Sequence, residues 1–299
     1  VATQPDTHPS TPSRVDSPQS TDPLPPIDYA ARWRALVAGR DAQRGAGYRD
    51  GDAVRDPWRN RADRFAAYSD RLPEDDPLFA RLRALVRPSD TILDVGAGAG
   101  RYALPLARLA RSVVAVEPSP AMRHHLEARI AAEAVDNITV VPTAWPDAVV
   151  ELADIVLCAH VVYGVREIAP FMQAIDAHTR RACLVAIRVD QHPGLGELTA
   201  ALYGTPHLRQ PALLDLYPLL ADLGIVADVQ TYPAAGSFRF VDRDAALAHY
   251  RDRLHVPPGT PAEATLRALL ATHLIQDPDG RYRWPGPLPR NAVVTWTKG

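Results

Sequence analysis

The chain has 299 residues, 46% of them hydrophobic and 23% charged, with a formal charge of −2. That length covers one or two domains and that apolar fraction fills a sizeable core. The near-zero charge excludes a global field drawing the protein to nucleic acid or an anionic membrane, and no apolar run reaches the ~18 residues of a membrane-spanning helix.

Residues 1–26, "VATQPDTHPSTPSRVDSPQSTDPLPP", are Pro, Ser, Thr and Asp with little to bury, and read as a disordered tail. They have neither the basic start nor the apolar core of a secretory signal. Residues 27–88 read as an N-terminal helical cap. Trp33, Leu36 and Val37 share a helical spacing, as do Phe65 and Tyr68, and then Phe79, Leu82, Leu85 and Val86. Arginines and acids are mixed through this stretch, the pattern of solvated helix faces rather than of a nucleic-acid surface.

From residue 89 to 299 strand and helix patterns alternate. Strands are expected at 91–95, 112–117, 138–142, 153–159, 182–189, 225–233 and 292–297. The central ones are nearly continuous Val, Ile, Leu and Ala, as a parallel sheet covered on both faces requires. Helices are expected at 100–110, 119–134, 167–179 and 211–223, the second opened by Ser119-Pro120, a hydroxyl N-cap with proline at the first helical position. This alternation predicts an α/β fold, a doubly wound, mostly parallel sheet of seven strands. Two insertions interrupt it. One, at about 192–210, holds a short helix. The other, at about 234–291, holds a helix at 243–254, a second opened by the capping-box pair Thr260 and Glu263, and a turn at Asp277-Pro278-Asp279-Gly280. They read as further cap elements over the sheet.

Cys158 and Cys183 both lie in apolar runs and read as buried free thiols of a reducing, cytoplasmic compartment. The ten histidines show no zinc-type spacing, so no metal site is expected.

Residues 94–100, "DVGAGAG", end the first strand and open the first helix, at the carboxyl edge where doubly wound sheets bind ligands. Gly96, Gly98 and Gly100 are spaced G-x-G-x-G, not the G-x-G-x-x-G of dinucleotide domains. The second strand ends in Glu117, an acid placed to accept hydrogen bonds from ribose hydroxyls. Glu117 supports an adenosine-type ligand without choosing between NAD and S-adenosylmethionine.

Three ordered blocks, "ILDVGAGAGRYALPLA", "VVAVEPSPAM" and "ADIVLCAHVVYGV", the last followed by a helix and "RRACLVAI", resemble class I S-adenosylmethionine-dependent methyltransferases. The resemblance covers roughly residues 90–232 and implies a Rossmann-like core. It implies S-adenosyl-L-methionine as cofactor, with Asp94, Gly96, Ala97, Gly98 and Gly100 in its loop. Glu117 would lie on the ribose, and Pro118, Met122 and Ala159 near the adenosine and the methionine part. The family often has an acid after the third strand on the adenine amino group; here Thr143-Ala144-Trp145 stand there, and Ala144 with Trp145 become the expected adenine contacts. The Asp/Asn-Pro-Pro-Tyr motif of nucleic-acid amino methyltransferases is absent. His160 and Tyr163, after the fourth strand, and Asp190 and His192, after the fifth, are the candidate acid–base or acceptor-binding residues.

The implied reaction is methyl transfer to a small-molecule acceptor, at oxygen or nitrogen, with no nucleic-acid or membrane partner. The alternatives are a binding protein that does not turn the cofactor over and, less favoured by the loop spacing, an NAD-dependent oxidoreductase.

Overall fold

A computed structural model describes residues 26–45, 75–189, 192–234 and 238–298, with Trp58, Ala62, Asp63, Ala66 and Leu72. Nearly all of the expected tail, as well as Phe65, Tyr68 and Asp190, lies outside the described residues.

The strands are β1 (Thr91–Val95), β2 (Ser112–Val116), β3 (Ile138–Val141), β4 (Ala153–Ala159), β5 (Thr179–Arg188), β6 (Asp228–Pro233), β7 (Ile275–Gln276), β8 (Tyr282–Arg283) and β9 (Arg290–Thr297). Seven form one sheet in the order β3-β2-β1-β4-β5-β9-β6, and β7 and β8 pair separately. β1 runs parallel to both β2 and β4, while β9 is antiparallel to β5 and β6. The strand order therefore reverses beside β1, and the crevice between the carboxyl ends of β1 and β4 is the switch point of the sheet. The expected seven-stranded, mostly parallel α/β fold is present. β5 begins at Thr179, three residues earlier than its apolar run, because Thr179 pairs with Ala153 at the start of β4.

The helices are α1 (Tyr29–Gly45), α2 (Pro77–Leu85), α3 (Ala103–Ala107), α4 (Pro120–Ala132), α5 (Ile168–Ala177), α6 (Leu195–Tyr203), α7 (Leu213–Asp222), α8 (Arg243–Leu254) and α9 (Pro261–His273). Their starts follow local chemistry. Ser119 Oγ accepts the Met122 N–H at 3.2 Å, and Asp76 accepts the Phe79 N–H at 2.8 Å, each with a proline next in the chain. Thr260 caps α9 as expected, but the Glu263 carboxylate goes to the Gly259 N–H and to Arg251 instead of completing the box. α3 is shorter than the apolar pattern suggested, since Gly100 at φ +83° is incompatible with a helical start there.

Alternate residues of each strand feed two cores. Leu93 and Val95 face α1, α5 and α7 through Trp33, Phe171, Ile175 and Leu216. Ile92 faces α2, α3 and α4 through Leu82, Leu104 and Leu126. The two N-terminal helices are thus part of the layers. Trp33 is fully buried and donates its indole N–H to the Val165 carbonyl at 2.7 Å. That bond ties α1 to the loop after β4. The nearby Arg34–Glu167 pair is exposed and, screened by water, adds little.

A third cluster belongs to the insertions alone. Leu198, Leu247, Tyr250, Leu266, Leu270 and Trp284 bring α6, α8, α9 and the β7–β8 hairpin together. This cap is fastened to the exit of β5 by Tyr250, whose hydroxyl donates to the Pro193 carbonyl at 3.0 Å. Cys158 and Cys183 are buried free thiols on β4 and β5. No helix among the described residues is long and apolar enough to cross a membrane.

Candidate active site

The glycine loop is tied back onto β2. The N–H groups of Gly96 and Ala97 both reach the Val116 carbonyl, at 2.8 and 3.1 Å. Gly96, Gly98 and Gly100 all have positive φ, which side chains disfavour. Space is closed as well. A Cβ on Gly96 would stand 2.4 Å from Val161 Cγ2, and one on Gly100 would stand 2.6 Å from Leu126 Cδ1. Glu117 locks the arrangement: Oε2 accepts the Gly98 N–H and Oε1 the Ser119 N–H, both at 2.8 Å. A carboxylate offers about four lone-pair sites, so capacity for ribose hydroxyls remains.

Asp94 is 2% exposed and its Oδ2 has no hydrogen-bond partner among the described residues. Burial, followed by repulsion from Glu117, pushes its pKa up to about 7. An acid buried at such cost next to a glycine loop is suited to receive a cationic or hydrogen-bond-donating ligand group. These residues therefore fit S-adenosylmethionine, whose ammonium and ribose hydroxyls are donors.

Around this centre the expected cofactor residues diverge. Met122 is buried against Ala99, Ala62 and Ala66. Ala97 is nearly buried, while Pro118 and Ala144 are exposed at the ends of β2 and β3. Ala159 is partly buried as the last residue of β4. The Trp145 ring lies in the core beside α5, edge-on to His178 at 4.8 Å, and its N–H is donated to the Phe171 carbonyl. Ala144 and Trp145 are neighbours in sequence but point to different surroundings.

The other half of the edge lies beyond β4. His160 has φ +60°, in the left-handed region that costs a non-glycine residue about 1–2 kcal/mol, and its N–H is held by the Ala186 carbonyl at 2.9 Å. Its Nδ1 is 2.9 Å from the Tyr163 hydroxyl, which also accepts the Arg188 N–H at 2.9 Å. Burial, then the charges of Arg188 and Arg101, bring the His160 pKa down to about 4, and burial raises that of Tyr163 to about 12. Both side chains are neutral near pH 7. His192 sits with the cap: Nε2 accepts from Arg253 Nε at 3.1 Å, and the ring meets Phe238 edge-on at 4.8 Å. Burial and surrounding arginines hold its pKa well below the ordinary histidine value.

Residues 92–181 match a family described as "Methyltransferase domain". Residues 92–181 thus carry a methyltransferase domain. Among solved structures the chain is similar to the YcgJ protein of Bacillus subtilis, at TM-score 0.52 and 13% identity, covering 74% of this chain and 97% of that one. It is also similar to the BH2331 protein of Bacillus halodurans, at TM-score 0.51 and 14% identity, covering 76% and 99%. At these identities the likeness is one of fold. A 23S rRNA (uracil(1939)-C(5))-methyltransferase of Photobacterium angustum is 43% identical over 54 residues, 18% of this chain. The chain spans about a quarter of the length of that relative, 24%.

Several residues of the methyltransferase domain's edge escaped sequence reasoning. Ser119 is visible as a cap, but not as a donor to Glu117. Val161 reads as core, yet it forms the wall against Gly96. Arg188 reads as the end of an apolar strand. Its only signal is position: a charged residue at the carboxyl end of a central strand.

Proposed function

We propose that the protein transfers a methyl group from S-adenosylmethionine to a small-molecule acceptor at oxygen or nitrogen. The observation that carries this reading is the closed unit of Gly96, Gly98 and Glu117, beside an Asp94 oxygen that lacks a partner. Bound S-adenosylmethionine supplies an electrophilic methyl on a sulfonium. Asp94 would face its ammonium and Glu117 its ribose hydroxyls. Ala97, Pro118, Met122 and Ala144 would flank the adenosine, and Ala159 would border the methionine part. The Trp145 indole, already bonded to Phe171, supports this site from behind.

In-line displacement asks the protein chiefly to align the acceptor and exclude water. His160 and Tyr163 are the groups proposed to face the acceptor. His160 is neutral near pH 7, and with Nδ1 held at the Tyr163 hydroxyl its Nε2 is the ring nitrogen left for the acceptor, donating or accepting a hydrogen bond according to the tautomer. Asp190 is kept as a further candidate of the same edge, and His192 as a contact from the cap. Cytoplasmic location is part of the same reading, supported by two buried free thiols.

Isothermal titration with S-adenosylmethionine and S-adenosylhomocysteine tests the proposal. Both should bind the wild type, and Glu117→Ala should weaken binding about 10- to 100-fold, since charged hydrogen bonds are worth roughly 1.5–3 kcal/mol. Absence of binding to the wild type overturns the reading.

A further inference from the structure

Many arginines of the described structure are matched to acids, and others, such as Arg123 and Arg290, bond backbone carbonyls. Arg101 pairs with Asp76 at 3.4 Å, Arg209 with Asp215, Arg181 with Asp90 and Arg34 with Glu167. Arg188 is different. It is the last residue of β5 and stands opposite Asn291 in the ladder with β9. Its guanidinium carbon lies 5.2 Å from the centre of the Tyr163 ring. Its side chain makes one hydrogen bond, to the neutral Gln210 Oε1, at 3.4 Å. Among the described residues it has no carboxylate partner, although it is half-buried.

A partly desolvated cation without a counter-charge is costly unless something anionic completes it. The groups that surround Arg188 do not. His160, Tyr163 and His192 are all uncharged near neutral pH, and the charge of Arg188 is among the causes that keep both imidazoles so. Arg253 reaches His192 from the cap, and the field of Arg101 also falls on His160. Among the described residues, the mouth beyond β4 and β5 therefore sets the Arg188 guanidinium, without a carboxylate partner, among neutral side chains. A guanidinium presents a planar fork that matches a carboxylate in two parallel hydrogen bonds.

We propose that Arg188 anchors a carboxylate of the methyl acceptor, so that the substrate class is a small organic acid whose reacting atom lies toward His160 and Tyr163. One uncommitted guanidinium matches one negative charge, which favours a carboxylate over a phosphate dianion. The Phe238 and His192 rings, in edge contact at 4.8 Å, offer the body of such an acid an apolar wall from the cap. The proposal rests on the methyl-transfer reading, and its test separates the two.

The protein is first titrated with S-adenosylhomocysteine and then, loaded, with 4-hydroxybenzoate, 4-hydroxyphenylacetate and indole-3-acetate, each beside its primary amide. At least one acid should bind about tenfold or more tightly than its amide, the scale of one charge-assisted pair. Arg188→Gln should erase that ratio, and Arg188→Lys should keep part of it, because charge survives and the fork does not. Binding of S-adenosylhomocysteine within about twofold of wild type in both variants shows that the fold and the cofactor half are intact. Equal binding of acids and amides, absence of binding by every acid, or a ratio that survives Arg188→Gln overturns the proposal. If S-adenosylhomocysteine itself fails to bind the wild type, the methyl-transfer reading falls, and the same acid–amide pairs on the unloaded protein decide Arg188 alone.

Discussion

The carboxyl edge of the sheet has two halves built by different means. Beyond β1 and β2 the edge is made of tied-down backbone: three glycines at positive φ, two N–H groups on the Val116 carbonyl and a carboxylate that clamps two more. Beyond β4 and β5 it is made of side chains, His160, Tyr163, Arg188 and His192, held partly by one another and partly by the cap. The halves also differ in charge behaviour. Asp94 has a pKa of about 7, whereas His160 at about 4 and Tyr163 at about 12 keep one charge state through the physiological range. A cofactor common to many acceptors calls for fixed geometry, and an acceptor calls for exchangeable side chains.

The comparison can be broken in four places. The largest effect is expected at Trp33, which braces the acceptor half from behind. Trp33→Ala removes a fully buried indole and should cost about 3–5 kcal/mol in urea unfolding. The affinity for S-adenosylhomocysteine should change little at low denaturant; a large loss there would mean that the two halves are mechanically one.

Next is the pH dependence of the cofactor half. Asp94 binds its proton more tightly in the folded than in the unfolded chain, its pKa being about 7 against an ordinary 3.8. Its contribution to stability is full below pH ~4 and is lost as pH rises through about 7, on the order of 4 kcal/mol in all. Asp94→Asn, neutral at every pH, should flatten the unfolding midpoint between about pH 4 and 7. An unchanged pH slope in that variant would assign the titration to another group.

Gly96→Ala comes third. The new methyl meets Val161 at 2.4 Å on a backbone of φ +74°, so binding of S-adenosylhomocysteine should weaken by about 100-fold. The double variant Gly96→Ala, Val161→Ala relieves the contact but not the backbone and should recover only part of the loss. Full recovery would show that the loop tolerates a side chain there.

The smallest effect belongs to Tyr163→Phe. It leaves the Arg188 N–H and His160 Nδ1 without their shared partner, at a cost of roughly 1–2 kcal/mol by thermal unfolding. Cofactor affinity should be untouched, which sharpens the division between halves.

Legibility in the sequence follows the same division. The strands and most helices were readable because apolar runs and caps such as Ser119-Pro120 are local signals, and they place the loop at the switch point. Gly96, Gly98 and Glu117 were readable because a backbone at positive φ demands glycine within a few residues of the strand it closes. The fate of Trp145 was not readable, since its indole is claimed by Phe171, 26 residues away. Arg188 was hidden for a related reason: its lack of an acidic partner is a property of the assembled edge and leaves no trace in the string "LVAIRV". Trp33 read as one position of a helical stripe, and only the fold sets it against Val165, 132 residues on.

The cap keeps its own core, Leu198, Leu247, Tyr250, Leu266, Leu270 and Trp284, apart from the two cores of the sheet. Sites that share no neighbours vary almost independently. Drift in the cap can therefore reshape the mouth of the edge while the glycine loop stays under its own constraints, so the two can diverge at separate rates.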